Sequence, residues 1–376
     1  MAVDVSPVAG QRDHDAFLRL PWQIYRGHAH WVPPILDHQR ALLDRTRHPF
    51  HQHAEVEYVL ARRRGAVVGR IAAIVNGQHV RYHGEPAGFF GFFECVDDAE
   101  VAAALLDAAG RWVADRGMEL LRGPMSFSTN EECGMLVEGF TSPPIFMAPY
   151  NPPSYPSLMD RCGMEKAKDL YAYSFSRQAL DPARYQQAKR LVAQIIERHG
   201  ITVRPPDMQR FHDELALIRE VYQRAWGKNW GFVPMTAAEF DHQAAQLKSL
   251  IVPELVRVAT VAGDPAAFTL LVPNYNEAIK HINGRLWPFG IPFMLACHYL
   301  RRIRGLRVLA LGVVPEHQRR GIDTVMIFDL YSRLVHSHYQ WCEIGWVLED
   351  NARMNNTIRA WGGTLSKRYR IYQRML

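Results

Sequence analysis

Val313-Val314-Pro315-Glu316-His317-Gln318-Arg319-Arg320-Gly321-Ile322-Asp323 is the segment around which the rest of the chain can be read. An apolar run, Arg307 to Gly312, leads into it, and an amphipathic stretch from Thr324 to Val335 follows. That order predicts a strand, a tight basic loop and the first turn of a helix. Such a loop aims successive backbone N–H groups and the positive end of a helix dipole at one point, which suits a pyrophosphate. Gly321 lets the main chain approach closely, and Arg319 and Arg320 add positive charge. An ordinary strand-to-helix turn carrying surface arginines is the competing reading of the same residues.

The 376 residues are long for one domain and comfortable for two. With 48% hydrophobic and 22% charged residues the composition is that of a folded globular protein. A net charge of +6 mildly favours anionic ligands or surfaces. Nucleic acid fits least, because the basic residues are scattered and no binding motif is present. The five cysteines are odd in number, widely spaced and without a CxxC pair, so neither a disulfide framework nor a zinc site is expected. The N-terminus lacks an apolar signal core and nothing reaches the length of a membrane span, so a cytoplasmic location is expected. One stretch stands against that. Leu286 to Cys297 is apolar and broken by prolines, and Arg301, Arg302, Arg304 and Arg307 follow. It reads as a buried helix with a solvated basic end, or as a peripheral membrane contact.

The chain repeats itself in register. Residues 56–64 and 66–75 read as strand, turn, strand around Gly65, and residues 255–262 and 265–272 do the same around Gly263, 198 positions on. Lys168-Asp169-Leu170-Tyr171-Ala172-Tyr173 is echoed by Lys367-Arg368-Tyr369-Arg370-Ile371-Tyr372 at a spacing of 199. Gly163 and Gly362, which close the preceding helices, are also 199 apart. Duplication explains landmarks that hold one spacing. Copy one carries a central strand at Gly88 to Glu94, a helix from Ala99 to Arg116 and a strand near Glu119 to Arg122. Copy two carries strand 307–314, helix 322–336 and strand 341–348. The expected division is 1–178 and 179–376. Copy two has about twenty extra residues before its central strand, and copy one has an extra loop, Ser126 to Ala148. In copy one the loop after the central strand is Cys95-Val96-Asp97-Asp98, without glycine or arginine, and its aspartates would repel a diphosphate.

Gln318-x-x-Gly321 resembles the acyl-CoA-binding motif Gln/Arg-x-x-Gly-x-Gly/Ala of the GCN5-related N-acetyltransferase (GNAT) superfamily, with Asp323 at the last position. The whole chain is similar to a bacterial family of tandem-GNAT proteins. The phrases that carry this are Leu311-Gly312-Val313 with Arg320-Gly321-Ile322-Asp323, Trp346-Val347-Leu348-Glu349-Asp350-Asn351, and the closing Tyr369-Arg370-Ile371-Tyr372. The resemblance implies an α/β fold class, two tandem mixed-sheet GNAT folds, the first with a degenerate loop. It implies acetyl-CoA or a longer acyl-CoA as co-substrate, held by Val313, Val314, Gln318, Arg319, Arg320, Gly321, Ile322, Asp323, Thr324 and Asn351, and an N-acyltransferase activity. The second copy would bind CoA and the first would shape the acceptor side. Bacterial ceramide synthases are similar in general plan, so the acceptor is expected to be a small-molecule or lipid amine. The oligomeric state is left open. A non-catalytic binding protein on a GNAT scaffold is the alternative.

Direct transfer needs both partners held in line, a proton acceptor and a polarised carbonyl. The strand Glu343 to Glu349 would form one wall of the cleft, with Glu343, Gly345, Val347 and Glu349 on one face. Glu343 and Glu349 are therefore the candidate proton acceptors, while Asp350 and Asn351 also read as a helix cap. Trp346 and Trp230, the latter in a turn at Asn229 to Pro234, are candidate acceptor contacts. Glu94, ending the run Gly88 to Phe93, is a third candidate, since a desolvated carboxylate can act as a base. The tyrosine that many GNAT enzymes use as an acid is replaced by Ile358 here and by Met159 in the first copy. No metal is expected, because His48, His51 and His53 read as surface residues.

Overall fold

The structure, a computed structural model, describes residues 2–179 and 181–376. The chain divides into two compact units. Unit 1 comprises Met1–Tyr171, Ala278–Met294 and Lys367–Leu376, and unit 2 comprises Ala172–Glu277 and Leu295–Ser366. Both differ from a cut at 178/179 because the segment before the second central strand and the end of the last strand take their contacts in unit 1. The strands are β1 (Asp4–Pro7), β2 (Ala54–Arg63), β3 (Ala66–Asn76), β4 (Ala87–Cys95), β5 (Leu120–Gly123), β6 (Met135–Glu138), β7 (Glu165–Ser176), β8 (Ile201–Arg204), β9 (Val256–Val261), β10 (Asp264–Pro273), β11 (Gly305–Val313), β12 (Trp341–Leu348) and β13 (Thr364–Met375).

Unit 1 orders its strands β1-β2-β3-β4-β5-β13, with β6 also on β13. The β2–β3 hairpin turns at Arg64 and Gly65, whose φ angles of 52° and 78° are those of a two-residue turn matched to strand twist. β4 and β5 run parallel over Ala87–Phe89, and β13 pairs antiparallel with β5 from Tyr372↔Gly123 to Met375↔Leu120. β4 is buried almost throughout, as its unbroken apolar run demands. The helix Ala99–Ala114 crosses behind it, capped by Asp98, which accepts from the Glu100 and Val101 N–H groups. Val101, Leu105, Leu106, Ala109 and Val113 form the buried stripe of that helix, and Gly88 leaves the room that Val113 fills. The loop expected over Ser126 to Ala148 contains the short strand β6, paired with β13.

Unit 2 orders β12-β11-β10-β9-β8, with β11 and β12 parallel and the other pairs antiparallel. Its hairpin turns at Ala262 and Gly263 with the same left-handed pair of φ angles, 52° and 93°. The helices Pro182–His199 and Ile322–His336 bury Val192, Ile322, Val325 and Met326 against Ala259, Ala266 and Ala267. The helix Phe211–Trp226 covers the opposite face through Val221, packed with Phe268 and Val314. Each unit is thus a mixed sheet clad by helices.

Two expectations are corrected. The three histidines are not open surface residues: His51 and His53 are half-buried. His48 is buried, and His48, Phe50 and His51 all pack on the Phe127 ring at 4.7–5.4 Å. Burial lowers the His51 pKa to about 4. No group of three His, Cys, Asp or Glu among the described residues could hold a metal ion. The apolar stretch does form a helix, Gly290–Tyr299, but much of it is not covered: Phe289 is 80% exposed and Trp287 74%.

Candidate active site

β11 and β12 pair only from Gly305↔Trp341 to Val308↔Ile344. Beyond that point the register ends while both strands continue, to Val313 and Leu348. A bulge lies at the same place. β10 faces β11 at Leu270↔Ala310 and then at Leu271↔Val308, leaving Leu309 as the extra residue. The bulge bends β11 locally, and past Val308↔Ile344 the ladder to its parallel neighbour is lost, so the two strands part toward their C-terminal ends.

The basic loop leaves β11 at that end. Val314 is fully buried and its N–H donates to Ala266, which fixes where the loop departs. Gln318 Nε2 donates to the Val313 carbonyl and Arg320 lies against His317. Arg319 and Gly321 have φ angles of 65° and 80°, the left-handed turn that brings main-chain amides to face one direction. From Arg319 to Thr324, six successive backbone N–H groups have no hydrogen-bond acceptor among the described residues. Arg319 and Arg320 are exposed beside them. A side chain at position 321 would meet Ile195 at 3.0 Å in addition to the strained φ, so only glycine suits the loop.

Asp323 does not face those amides as a free charge. Its Oδ2 pairs with Arg353 Nη2 at 2.8 Å, so the carboxylate stays in the first turn of its helix with a cation beside it. Ile322 is buried in the helix core and Thr324 is half-buried.

On the other wall, Glu343 and Glu349 are separated by the geometry. Glu343 is buried in the paired part of β12, opposite Arg307, and accepts from Ser366 Oγ at 3.2 Å. Glu349 follows the last residue of β12, at the end where the strands have parted. Trp346 is half-buried in the part of the strand beyond its pairing with β11. The Asn351 side-chain oxygen accepts from the Met354 N–H at 3.1 Å, so it caps the helix Ala352–Ala360. Trp230 occupies the turn between the helices Phe211–Trp226 and Ala237–Leu247, where Phe232 packs on Tyr222. Trp226 lies against the central strand: a Cβ on Gly312 would meet its ring at 2.1 Å. Ile358 is fully buried and offers no proton. Asn355, one turn earlier, accepts from the Tyr173 hydroxyl at 2.9 Å and donates to the Leu348 and Glu349 carbonyls. Arg353, Trp226 and Asn355 carry no motif in the sequence, and Tyr173 is marked there only by the repeat. Their positions follow from packing alone.

The corresponding opening in unit 1 is shut by main chain. Met125 N–H donates to the Phe90 carbonyl at 2.8 Å, and a Cβ on Gly91 would lie 2.0 Å from the Met125 oxygen. Past this closure sits Glu94. Its carboxyl oxygens receive the Tyr25 hydroxyl at 2.9 Å and the Tyr155 hydroxyl at 2.8 Å, with Arg70 at 4.0 Å. Tyr25 is stacked on Trp31 at 4.9 Å and also reaches the Tyr150 carbonyl. Burial raises the Glu94 pKa to about 7, against the opposing pull of Arg70 and the two tyrosines. Asp98, expected to repel a diphosphate, pairs with Arg63 at 2.6 Å while capping its helix.

Two splayed parallel strands beside an amide-lined loop, on a sheet plan laid down twice, define the tandem GNAT fold. The chain is similar to a solved tandem GNAT protein from the clavulanic acid biosynthesis pathway, with a TM-score of 0.57 at 14% identity over 99% of this chain and 98% of that one. It is 34% identical over 372 residues to Protein YghO of Escherichia coli (strain K12), covering 97% of this chain and 94% of that protein. It is 32% identical over 382 residues to Bacterial ceramide synthase of Caulobacter vibrioides (strain NA1000 / CB15N), covering 100% and 98%. The chain belongs to the family of these two proteins. No family profile matches it.

Proposed function

We propose that the chain is an acyl-CoA-dependent N-acyltransferase that acylates a lipid amine, with unit 2 holding the acyl-CoA. The observation that carries this is the run of six acceptor-free N–H groups, Arg319 to Thr324, placed where β11 and β12 part. Amides and arginines would take the pyrophosphate, and the strand edges would take the pantetheine arm. The amine nitrogen attacks the thioester carbonyl carbon, the new C–N bond forms, the C–S bond breaks, and the thiolate leaves. Glu349, directly or through water, accepts the proton that the nitrogen loses. The family relationship to a protein named as a ceramide synthase supports a long-chain amine as acceptor and a long-chain acyl donor. Unit 1, its opening closed at Gly91, binds no CoA in this reading.

A second reading, a ligand-binding protein without turnover, is favoured by Ile358, which puts an apolar side chain where a tyrosine on the helix after β12 would protonate the leaving thiolate. Calorimetric titration with acetyl-CoA and palmitoyl-CoA separates the two, followed by an assay of free thiol release with a sphingoid amine. Binding with turnover supports the transferase, and binding without turnover supports the scaffold. Absence of binding at millimolar concentration overturns the transferase. Arg320→Glu should weaken binding at least about tenfold if the loop holds phosphate.

A further inference from the structure

We propose that the helix Gly290–Tyr299 and its flanks dock the protein onto the surface of an anionic lipid bilayer. Ile291, Leu295 and Tyr299 follow one another at i, i+4 and i+8 and are all solvent-exposed, so they form one face of the helix. The preceding turn adds Trp287 and Phe289, and the following one adds Leu300 at 62% exposure. The other side of the helix is held by Cys297, which is buried, and by Phe293, whose ring lies against His281 at 6.0 Å. A single exposed leucine calls for no explanation, but six large apolar side chains in fourteen consecutive residues do.

Charge identifies the occupant. From Lys280 to Arg304 the chain carries Lys280, Arg285, Arg301, Arg302 and Arg304 and no aspartate or glutamate. All five are exposed, and none pairs with a carboxylate among the described residues. Glu277, the acid nearest in sequence, accepts from the Arg304 and Gly305 backbone N–H groups instead. An apolar ridge of tryptophan, phenylalanine and tyrosine, bracketed by unpaired cations, matches the boundary between acyl chains and anionic headgroups. A second copy of the chain would bring five like charges against five. No helix among the described residues is long and apolar enough to cross a membrane, so the contact is one of lying on the surface. The inference is independent of the chemistry assigned to unit 2.

The test is co-sedimentation of the whole protein with vesicles of phosphatidylcholine, with and without about a quarter phosphatidylglycerol, at low and high salt. Binding is expected on the anionic vesicles and should fall at least tenfold on pure phosphatidylcholine or at high salt. Phe289→Ser with Leu295→Ser, and separately Arg301→Glu with Arg302→Glu, should each lower it at least tenfold. If a double variant does not fold, Trp287→Phe serves instead: brominated acyl chains should quench wild-type fluorescence measurably more than that of the variant. Absence of binding, equal binding to neutral vesicles, binding untouched by the variants, or quenching independent of Trp287 would each overturn the proposal. So would a dimer in solution that dissolves in the Phe289→Ser, Leu295→Ser variant, or an acidic protein partner that needs the same residues while vesicles are ignored.

Discussion

Arg353 Nη2 stands 2.8 Å from Asp323 Oδ2, tying the first turn of one helix to the first turn of the next. An acid two residues past the loop glycine would oppose a pyrophosphate if it were free. Paired, it costs the loop little. Arg353→Ala should weaken acyl-CoA binding by roughly fivefold, the range of a partly exposed ion pair, and adding Asp323→Asn should restore it. Calorimetry on the two variants decides the point. A double variant no better than the single one would show that Asp323 does not act through its charge.

The two glutamates of the second wall should separate kinetically. Glu349→Gln should lower kcat by about a hundredfold or more and remove the acidic limb of the pH–rate profile. Glu343→Gln, in the paired and buried part of β12, should lower the thermal midpoint while leaving that limb in place. The opposite pattern would move the proton acceptor to Glu343.

Glu94 should make the protein less stable as pH rises toward neutrality. Its pKa is near 7 in the folded state and about 4.5 when exposed, so the folded protein binds the extra proton in between. The associated stability is fully present below about 4.5 and is lost as pH climbs through about 7, a span worth on the order of 3 kcal/mol. Glu94→Gln should flatten the dependence of the thermal midpoint on pH over that window. An unchanged slope would mean that the carboxyl is ionised in place beside Arg70.

Asp169 is buried, takes two bonds from the Arg370 guanidinium and lies 3.2 Å from Lys166. Removing it leaves two partly exposed cations without their buried partner. Asp169→Ala should cost about 2 kcal/mol, read by urea denaturation. A loss below about 1 kcal/mol would show that the cations find solvent instead.

Much of the plan was legible because it rests on local rules. Gly65 and Gly263 mark hairpins through the positive φ they permit, the unbroken run Gly88 to Phe93 marks a strand buried on both faces, and 322–336 and 341–348 fall where the observed elements do. What escaped depends on distance in the sequence. Arg353 is thirty residues from the aspartate it neutralises, Tyr25 and Tyr155 flank Glu94 from either side of the chain, and the aromatic setting of His48 is supplied by Phe127. Polarity misled in that last case, because a histidine ring can pack like a small aromatic. Hydrophobicity misled at Phe289 and Leu295, because an apolar stretch signals burial in something, and that something need not be protein.

The pairing of Tyr372–Met375 with Leu120–Gly123 has a consequence for how the molecule is made. A ribosome emitting this chain would have finished every other strand of unit 1 some two hundred codons before the one that seals its edge. Until then the Leu120–Gly123 backbone offers an open hydrogen-bonding rim to any passing strand. The nascent protein therefore has reason to meet a chaperone, and its two halves are poor candidates for separate expression.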